Sequence, residues 1–459
     1  MSGIRLRRGL FVAFGLLICQ NARADLYAAQ DAYSKQNYPR AFELYRELAE
    51  MGDVRGQDYL AAMYVGGEGV KRDNVLGYGW ATIAKENGGG EVAQTIITQL
   101  EPHVTPKARE KIVALQAQFG KEAIAKRWLP APFTRASVTG CKFKVPANPD
   151  LYYPQEAIKR GFSGNIMVAF TVGADGRGHN VRVWFATPKD LFDDAARAVV
   201  MGSTFEPQVE NGVVVPCSMR IKVKFVIRGA APGDEEIRKS FEEVKPKALA
   251  GDPVSQAVYG ILLATRSDLN TDNDNFMIWL TRAAQAGVPA AQYMLGMCIF
   301  DGYSAQRDVP KGLAWLNKAS TNGNADAQAA LANYLLRTGV PGDAALALQW
   351  LEKSAAAGNR EGTYALAALL ATNTDAALRD PKRALTLVEV LKPDFDALPT
   401  AVEIRAAARA FTGDFGAAQG DQRRAIRKAR ALGWDIAPLQ KRLDAYLAQQ
   451  TWTGDLSAL

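Results

Sequence analysis

A chain of 459 residues, 48% hydrophobic and 22% charged, is globular in composition and too long for one ordinary core, so roughly two to four domains are expected. Four of its arginines (Arg5, Arg7, Arg8 and Arg23) fall in the first 24 residues with no acid beside them, so the formal charge of +7 drops to +3 for a chain starting at Asp25. That weak bias, with no run of Lys and Arg interleaved with aromatics, argues against nucleic acid as a partner.

Residues 1–24 read as a signal peptide: a basic start, an apolar run from Gly9 to Ile18, and small residues in Ala22-Arg23-Ala24, with Ala24 at the cleavage position. The run is short for a membrane span, and an uncleaved inner-membrane anchor is the rival reading. Ile18 stands where a lipoprotein needs a small residue before Cys19, which counts against lipidation. Export permits disulfides. Beyond residue 24 the cysteines are Cys141, Cys217 and Cys298, so at most one internal bridge forms.

Residues 25–128 carry helical periodicity, with Tyr33, Ala41, Leu44, Tyr45 and Leu48 on one stripe, and Leu129-Pro130-Ala131-Pro132 reads as a linker. The second half shows what these helices are. Gly251, Gly287, Gly323 and Gly358 recur at spacings of 36, 36 and 35. Trp279, Trp315 and Trp350 each lie eight residues before the next of these glycines, and Asp272, Asp308 and Asp343 seven before the tryptophans. Asp73, Trp80 and Gly88 keep the same register, with Gly52 lying 36 before Gly88. A polar residue follows each glycine by five (Gln57, Gln256, Gln292, Gln328, Thr363), and a small one lies four further on. Such coincident offsets mark a repeat of helix pairs. In this unit Asp caps the second helix, Trp is the buried anchor between the helices, and Gly ends the pair in a left-handed conformation.

The run Gln292-Tyr-Met-Leu-Gly296, Gly302, Asp308, Lys311-Gly-Leu-Ala-Trp315, Lys318-Ala319, Gly323 resembles a Sel-one-like repeat, a relative of the tetratricopeptide repeat, and residues 53–88 match the same pattern. The pattern decays after 370, and residues 401–448 are expected to form a capping helical hairpin, closing helical repeats that span 238–450. The resemblance implies a scaffold whose concave surface binds other proteins.

Residues 141–228 differ. Gln155 to Arg160 reads as a short helix, Asn165 to Val172 and Asn180 to Phe185 as a hairpin, Leu191 to Val200 as a helix, and Ser218 to Ile227 as a last strand. Its order resembles the C-terminal domain of TonB-type energy transducers, through Tyr153-Pro154, Gly161, Gly164, Asp175-Gly176, Asp194-Ala195-Ala196, Phe205, Pro207, Asn211-Gly212 and Phe225. Ser203 departs from the Trp usual there. The expected fold is therefore mainly α: an α-solenoid of helix pairs flanking a small α+β domain, an antiparallel sheet with two helices. The resemblance implies that the last strand, through Arg220, Lys222, Val223, Lys224 and Phe225, takes up an extended partner segment by strand addition. Arg220, Lys222 and Lys224 point outward in this reading, either guarding the edge against stray pairing or selecting an acidic partner. Cys141 and Cys217 both fall near the sheet margin and are expected to form a disulfide.

Nothing in the sequence points to catalysis or a cofactor. His103 and His179 are isolated and expected to be exposed, no Cys or His pair has zinc spacing, and Asp193-Asp194 and Glu242-Glu243 are expected on solvated helix surfaces. Gly173-Ala-Asp-Gly176-Arg-Gly178 has the glycines of a dinucleotide fingerprint but joins two strands, so it is a hairpin turn. The expectation is a non-enzymatic periplasmic adaptor whose partners are envelope or outer-membrane proteins, with no small-molecule substrate. The alternative is an energy-transducing component of transport through outer-membrane transporters.

Overall fold

The repeat register becomes helix pairs in the computed structural model, which describes residues 26–131, 141–210, 212–215, 217–227, 231–266, 268–270, 274–391, 399–431, 434–454 and 456. The expected cleavage position, Ala24, and Asp272 lie outside the described residues. The N-terminal array holds α1 (Leu26–Ser34), α2 (Tyr38–Met51), α3 (Val54–Gly66), α4 (Asn74–Glu86), α5 (Glu91–Leu100), α6 (Pro106–Phe119) and α7 (Lys121–Arg127). The middle stretch runs β1 (Lys142–Val145), α8 (Gln155–Arg160), β2 (Gly164–Val172), β3 (Gly178–Thr187), α9 (Asp193–Gly202), β4 (Thr204–Glu206), β5 (Gln208–Glu210), β6 (Val213–Val215) and β7 (Cys217–Phe225). The C-terminal array begins with α10 (Pro232–Leu249), α11 (Pro253–Thr265), α12 (Phe276–Gln285), α13 (Pro289–Asp301), α14 (Val309–Thr321) and α15 (Ala325–Thr338). It continues with α16 (Asp343–Ala356), α17 (Arg360–Thr372), α18 (Pro381–Val390), α19 (Pro399–Phe411), α20 (Phe415–Ala431) and α21 (Ala437–Leu447). The chain's end is thus three helices rather than a hairpin, because Pro438 starts α21 afresh beyond the break after α20.

The side chains of Asp73, Asp308 and Asp380 accept from backbone N–H groups at the starts of α4, α14 and α18. Two caps differ from expectation. Asn275 caps α12, and Asp343 is the first residue inside α16, where Gly342 stands at the cap. The repeat glycines all turn left-handed, with φ between 77° at Gly358 and 95° at Gly88. The residue after four of them, Asp53, Asp252, Asn324 and Asn359, caps the next helix. The recurring Gln has a structural role: the amides of Gln57, Gln256, Gln292 and Gln328 each donate to the carbonyl eight residues back, at 3.0–3.2 Å. Each of these glutamines is buried, and its acceptor (the Ala49, Ala248, Ala284 or Ser320 carbonyl) also accepts from the N–H of the repeat glycine, so the amide adds a second donor to the end of the preceding helix. Asn87 and Asn322 donate in turn to Gln57 and Gln292, tying the two helices of a repeat to the turn that closes it.

The tryptophans are not equivalent. Trp80, Trp279 and Trp315 are buried at 3%, 7% and 0% exposure, whereas Trp350 is half-buried with the Lys353 ammonium 4.5 Å over its ring. Trp315 also joins the two arrays: its ring lies 5.0 Å from that of Trp128, and its indole N–H donates to the Trp128 carbonyl at 2.7 Å. Lys318 meets Glu47 at 2.9 Å, Arg55 donates to the Gly251 carbonyl, and Lys311 donates to the Leu129 carbonyl. One hydrophobic core runs through α2, α3 and α4 into α12, α13 and α14. The arrays, far apart in sequence, pack as one body.

The sheet order is β3-β2-β7, all antiparallel, and β7 is bonded to β2 alone among the described strands. Its register pairs Val168 with Ile221 and Ile166 with Val223. One face (Ile166, Val168, Phe170, Val223 and Phe225) packs on Phe192, Ala196, Val199 and Val200 around α9. The opposite face carries Met167, Ala169, Trp184 and Phe185 into the repeat core beside Phe276 and Tyr303. The segment through β1 forms a separate two-stranded ribbon with β4, outside the β3-β2-β7 sheet. Ser203 is fully buried and useful where it stands: its hydroxyl donates to the Val199 carbonyl and accepts from the Ala147 N–H, holding the incoming segment to α9. Residues 231–234 are no free spacer, since Gly233 N–H donates to the Gly161 carbonyl and Asp234 accepts from Ser163 N–H.

Candidate functional site: sheet edges and a concave groove

Strand β7 places Val223 and Phe225 inward, 3% and 0% exposed, with Ile221 half-buried. Arg220 and Lys224 are exposed and Lys222 is half-buried. The outward face does not open to solvent throughout, and Arg220, though exposed, has a contact that neither expectation included. Its guanidinium donates to the Asp301 carbonyl at 2.6 Å, while Arg182 of β3 meets the Asp301 carboxylate at 3.1 Å. In register, Arg182, Ala169 and Arg220 form one row across the three strands. Asp301, the last residue of α13, is therefore gripped from both flanking strands across small Ala169. Burial lowers the Lys222 pKa, and Lys224 adds to that, so this face is partly desolvated.

Cys141 and Cys217 are joined across a Cα–Cα distance of 6.2 Å, linking the start of β1 to the start of β7 over 76 positions. Replacing both residues by Ser is expected to cost about 2–4 kcal/mol, read in non-reducing buffer as a lower denaturation midpoint than that of the disulfide-bonded protein. Cys298 is free and fully buried, and burial pushes its thiol well above the ordinary range. His103 is exposed. His179 is half-buried rather than exposed, because Asp175 of the hairpin turn holds its ring at 2.9 Å. Among the described residues no group of three or more His, Cys, Asp or Glu is arranged to hold a metal ion.

The other edge of the sheet, β3, borders a groove of about 960 Å³. Its floor is the inner face of α11, α13, α15, α17 and α19, the first helices of successive pairs, through Tyr293, Met294, Met297, Asn333, Tyr364, Leu369 and Ile404. The lining residues Val254, Val258 and Ile261 of α11, and Glu361, Tyr364, Ala368 and Thr372 of α17, recur at three- and four-residue steps, as one face of a helix requires. The β3 residues Val181 and Val183 and the start of α9 form one rim, and Gly454 and Leu456 of the chain's end lie at the far side. Sequence reasoning missed this site because its parts are distant in the chain and each carries an ordinary helix or strand pattern.

Asp193 and Asp194 are not simply solvated. Asp194 pairs with Arg197 at 3.1 Å and Arg360 at 3.0 Å, and Arg197 also reaches Glu361 at 2.8 Å. Lys189 bridges to Asp326 at 2.9 Å. These pairs lash the small domain to α15 and α17. Asp193 is half-buried, and one of its carboxylate oxygens is closed off from solvent with no hydrogen-bond partner. Burial, opposed by Arg197 and helped by Asp190 and Asp194, pushes its carboxyl up to about 7. An acid raised in the folded state binds its proton more tightly there, so its contribution to stability falls as pH rises from about 4 to 7. Asp193→Asn is therefore expected to stabilise the protein by about 1–2 kcal/mol at pH 8, with the gain gone below pH 4. Melting the two forms side by side across that range tests this.

Comparison with known families follows this division of the chain. Residues 149–227 match the Gram-negative bacterial TonB protein C-terminal family, and residues 18–53, 54–89, 289–324 and 325–359 match the Sel1 repeat. Sel1-type repeats surround a TonB C-terminal-type domain. Protein TonB of Pseudomonas aeruginosa is 36% identical over 63 residues, which is 14% of this chain and 18% of that relative. The chain thus spans under a fifth of the length of the curated relative it matches. Among solved structures, a Sel1 repeat protein from Oxalobacter formigenes is 16% identical, with a TM-score of 0.31, covering 80% of this chain and 98% of that one. A protective antigen of uropathogenic Escherichia coli strains displaying an SLR fold is 16% identical, with a TM-score of 0.35, covering 90% and 79% respectively. Among the described residues no helix is long and apolar enough to cross a membrane.

Proposed function

We propose that this chain is a non-enzymatic, protein-binding adaptor of the Gram-negative cell envelope, exported to the periplasm, whose TonB-like domain takes up an extended partner segment by strand addition at β7. The observation that carries the reading is an edge strand, bonded among the described strands to β2 only, mounted on a repeat scaffold by the Arg182–Asp301–Arg220 grip. A strand edge offers backbone donors and acceptors, so such binding depends little on the partner's side chains. The same grip and the α9 salt bridges hold the domain in place, which favours docking beside the scaffold over reaching across the periplasm.

A second reading, an energy-transducing component working with outer-membrane transporters, is supported by the 36% identity to Protein TonB. Cell fractionation with N-terminal sequencing separates the two. A salt-extractable form beginning at Asp25 supports the adaptor; an uncleaved form retained in the membrane supports the transducer and sinks the adaptor reading.

A further inference from the structure

The sheet has two edges, and they face different surroundings. The β7 edge lies beside the disulfide and the short turn Pro149–Tyr152. The β3 edge faces the concave groove, where repeat helices stand within reach of anything that pairs with it. We propose that this groove is a second binding site, which takes an extended segment of a partner protein as a strand added to β3. That segment would present apolar side chains to the helix floor and a Lys or Arg side chain to Asp193. The proposal rests on the adaptor reading and adds a site and a partner chemistry to it.

Three observations converge on this occupant. First, β3 is bonded only to β2 among the described strands, so its far side offers a row of backbone groups that an extended chain satisfies and a helix does not. Second, the chain's own end already lies in this groove. Gly454 N–H donates to the Thr372 carbonyl at 2.8 Å, and Leu456 sits 4% exposed in the core that includes Leu369 and Ile404. The floor therefore accepts a non-helical backbone with an aliphatic anchor. Third, Asp190, Asp193 and Asp194 line the groove together, while the neighbouring cations Lys189, Arg197 and Arg360 are engaged by Asp326, Glu361 and Asp194. A cationic side chain on the incoming segment meets this acidic rim favourably, and an acidic one at that place is repelled by Asp190, Asp193 and Asp194 together.

The test uses the full chain purified after export and a random peptide library displayed on phage. Enriched peptides are then bound to versions carrying a photo-crosslinker at Val181 on β3 or at Lys224 on β7. The expected result is enriched peptides that alternate apolar residues, carry a Lys or Arg, crosslink at Val181, and lose binding when a Pro interrupts the alternation. Asp193→Asn is expected to weaken Lys-bearing peptides while sparing versions with Gln in its place, and Asp193→Lys, with its melting profile recorded alongside, to weaken them at least tenfold under conditions where both forms are folded. Peptides that crosslink only at Lys224 overturn this site and leave the adaptor reading standing. A library that enriches nothing, or acidic peptides unaffected by Asp193→Lys, also overturns it.

Discussion

Trp315→Ala is expected to cost about 3–5 kcal/mol and to loosen the N-terminal array from the C-terminal one. The ring is fully buried, and no backbone rearrangement fills a hole of that size between packed helices. Its N–H also satisfies the Trp128 carbonyl, and Trp128 in turn donates to the Glu50 carbonyl at 3.1 Å. One substitution thus opens a cavity, strands a carbonyl and frees a second indole. Trp315→Phe keeps most of the volume and is expected to lose less than half as much. Trp350 occupies the equivalent place in the next repeat but is half-buried, so Trp350→Ala is expected to cost under about 2 kcal/mol. Chemical denaturation followed with limited proteolysis separates these cases, with early cleavage within the N-terminal array in the Trp315→Ala variant. Equal losses at the two positions would show that Trp315 does not join the arrays.

Glu403→Ala is expected to cost about 3–5 kcal/mol, localised to the end of the solenoid. Glu403 is fully buried in α19, where it accepts from Arg442 of α21 at 2.7 and 3.1 Å and from Gln422 of α20 at 2.7 Å. One carboxylate therefore holds three helices. Burial raises its pKa while Arg442 opposes the rise, so the charged form depends on that partner. Removing the carboxylate leaves the Arg442 guanidinium, itself 2% exposed, buried without a counter-charge. Replacing both, as Glu403→Leu with Arg442→Met, is expected to recover most of the loss, because the desolvation of both charges disappears together. Hydrogen exchange across α19 to α21 reads the effect, since a repeat protein does not unfold as one unit. The nearby pair Arg405–Asp421, with both bonds at 2.9 Å, provides a second check of the same physics.

The two arrays and the order of the sheet were legible because both follow local periods. A helix pair that repeats every 36 or so residues returns its Trp, Gly and Gln to the same places, and an alternating strand shows its face directly. The caps were legible only where Asp stood at the boundary. Asp343 lies one residue inside its helix, since Gly342 already makes the turn. What the sequence hid is contact across distance. Arg220 looks like an edge guard until Asp301, 81 residues away, is seen to accept from it. Asp194 looks like a solvated acid on a helix until α17 is seen to bring Arg360 to it and Glu361 to Arg197. The groove is hidden for the same reason: each wall is an unremarkable element, and only their assembly encloses a space.

The strand-addition claim is tested most directly by photo-crosslinking in living cells from β7. Lys224 is the position to use, because Val223 points into the core and is 3% exposed. The adaptor reading predicts a covalent adduct with an envelope protein other than an outer-membrane transporter, mapped to an extended segment of that protein. Adducts with an outer-membrane transporter would contradict that reading in favour of energy transduction, and the absence of any adduct from Lys224 would contradict strand addition at β7 altogether.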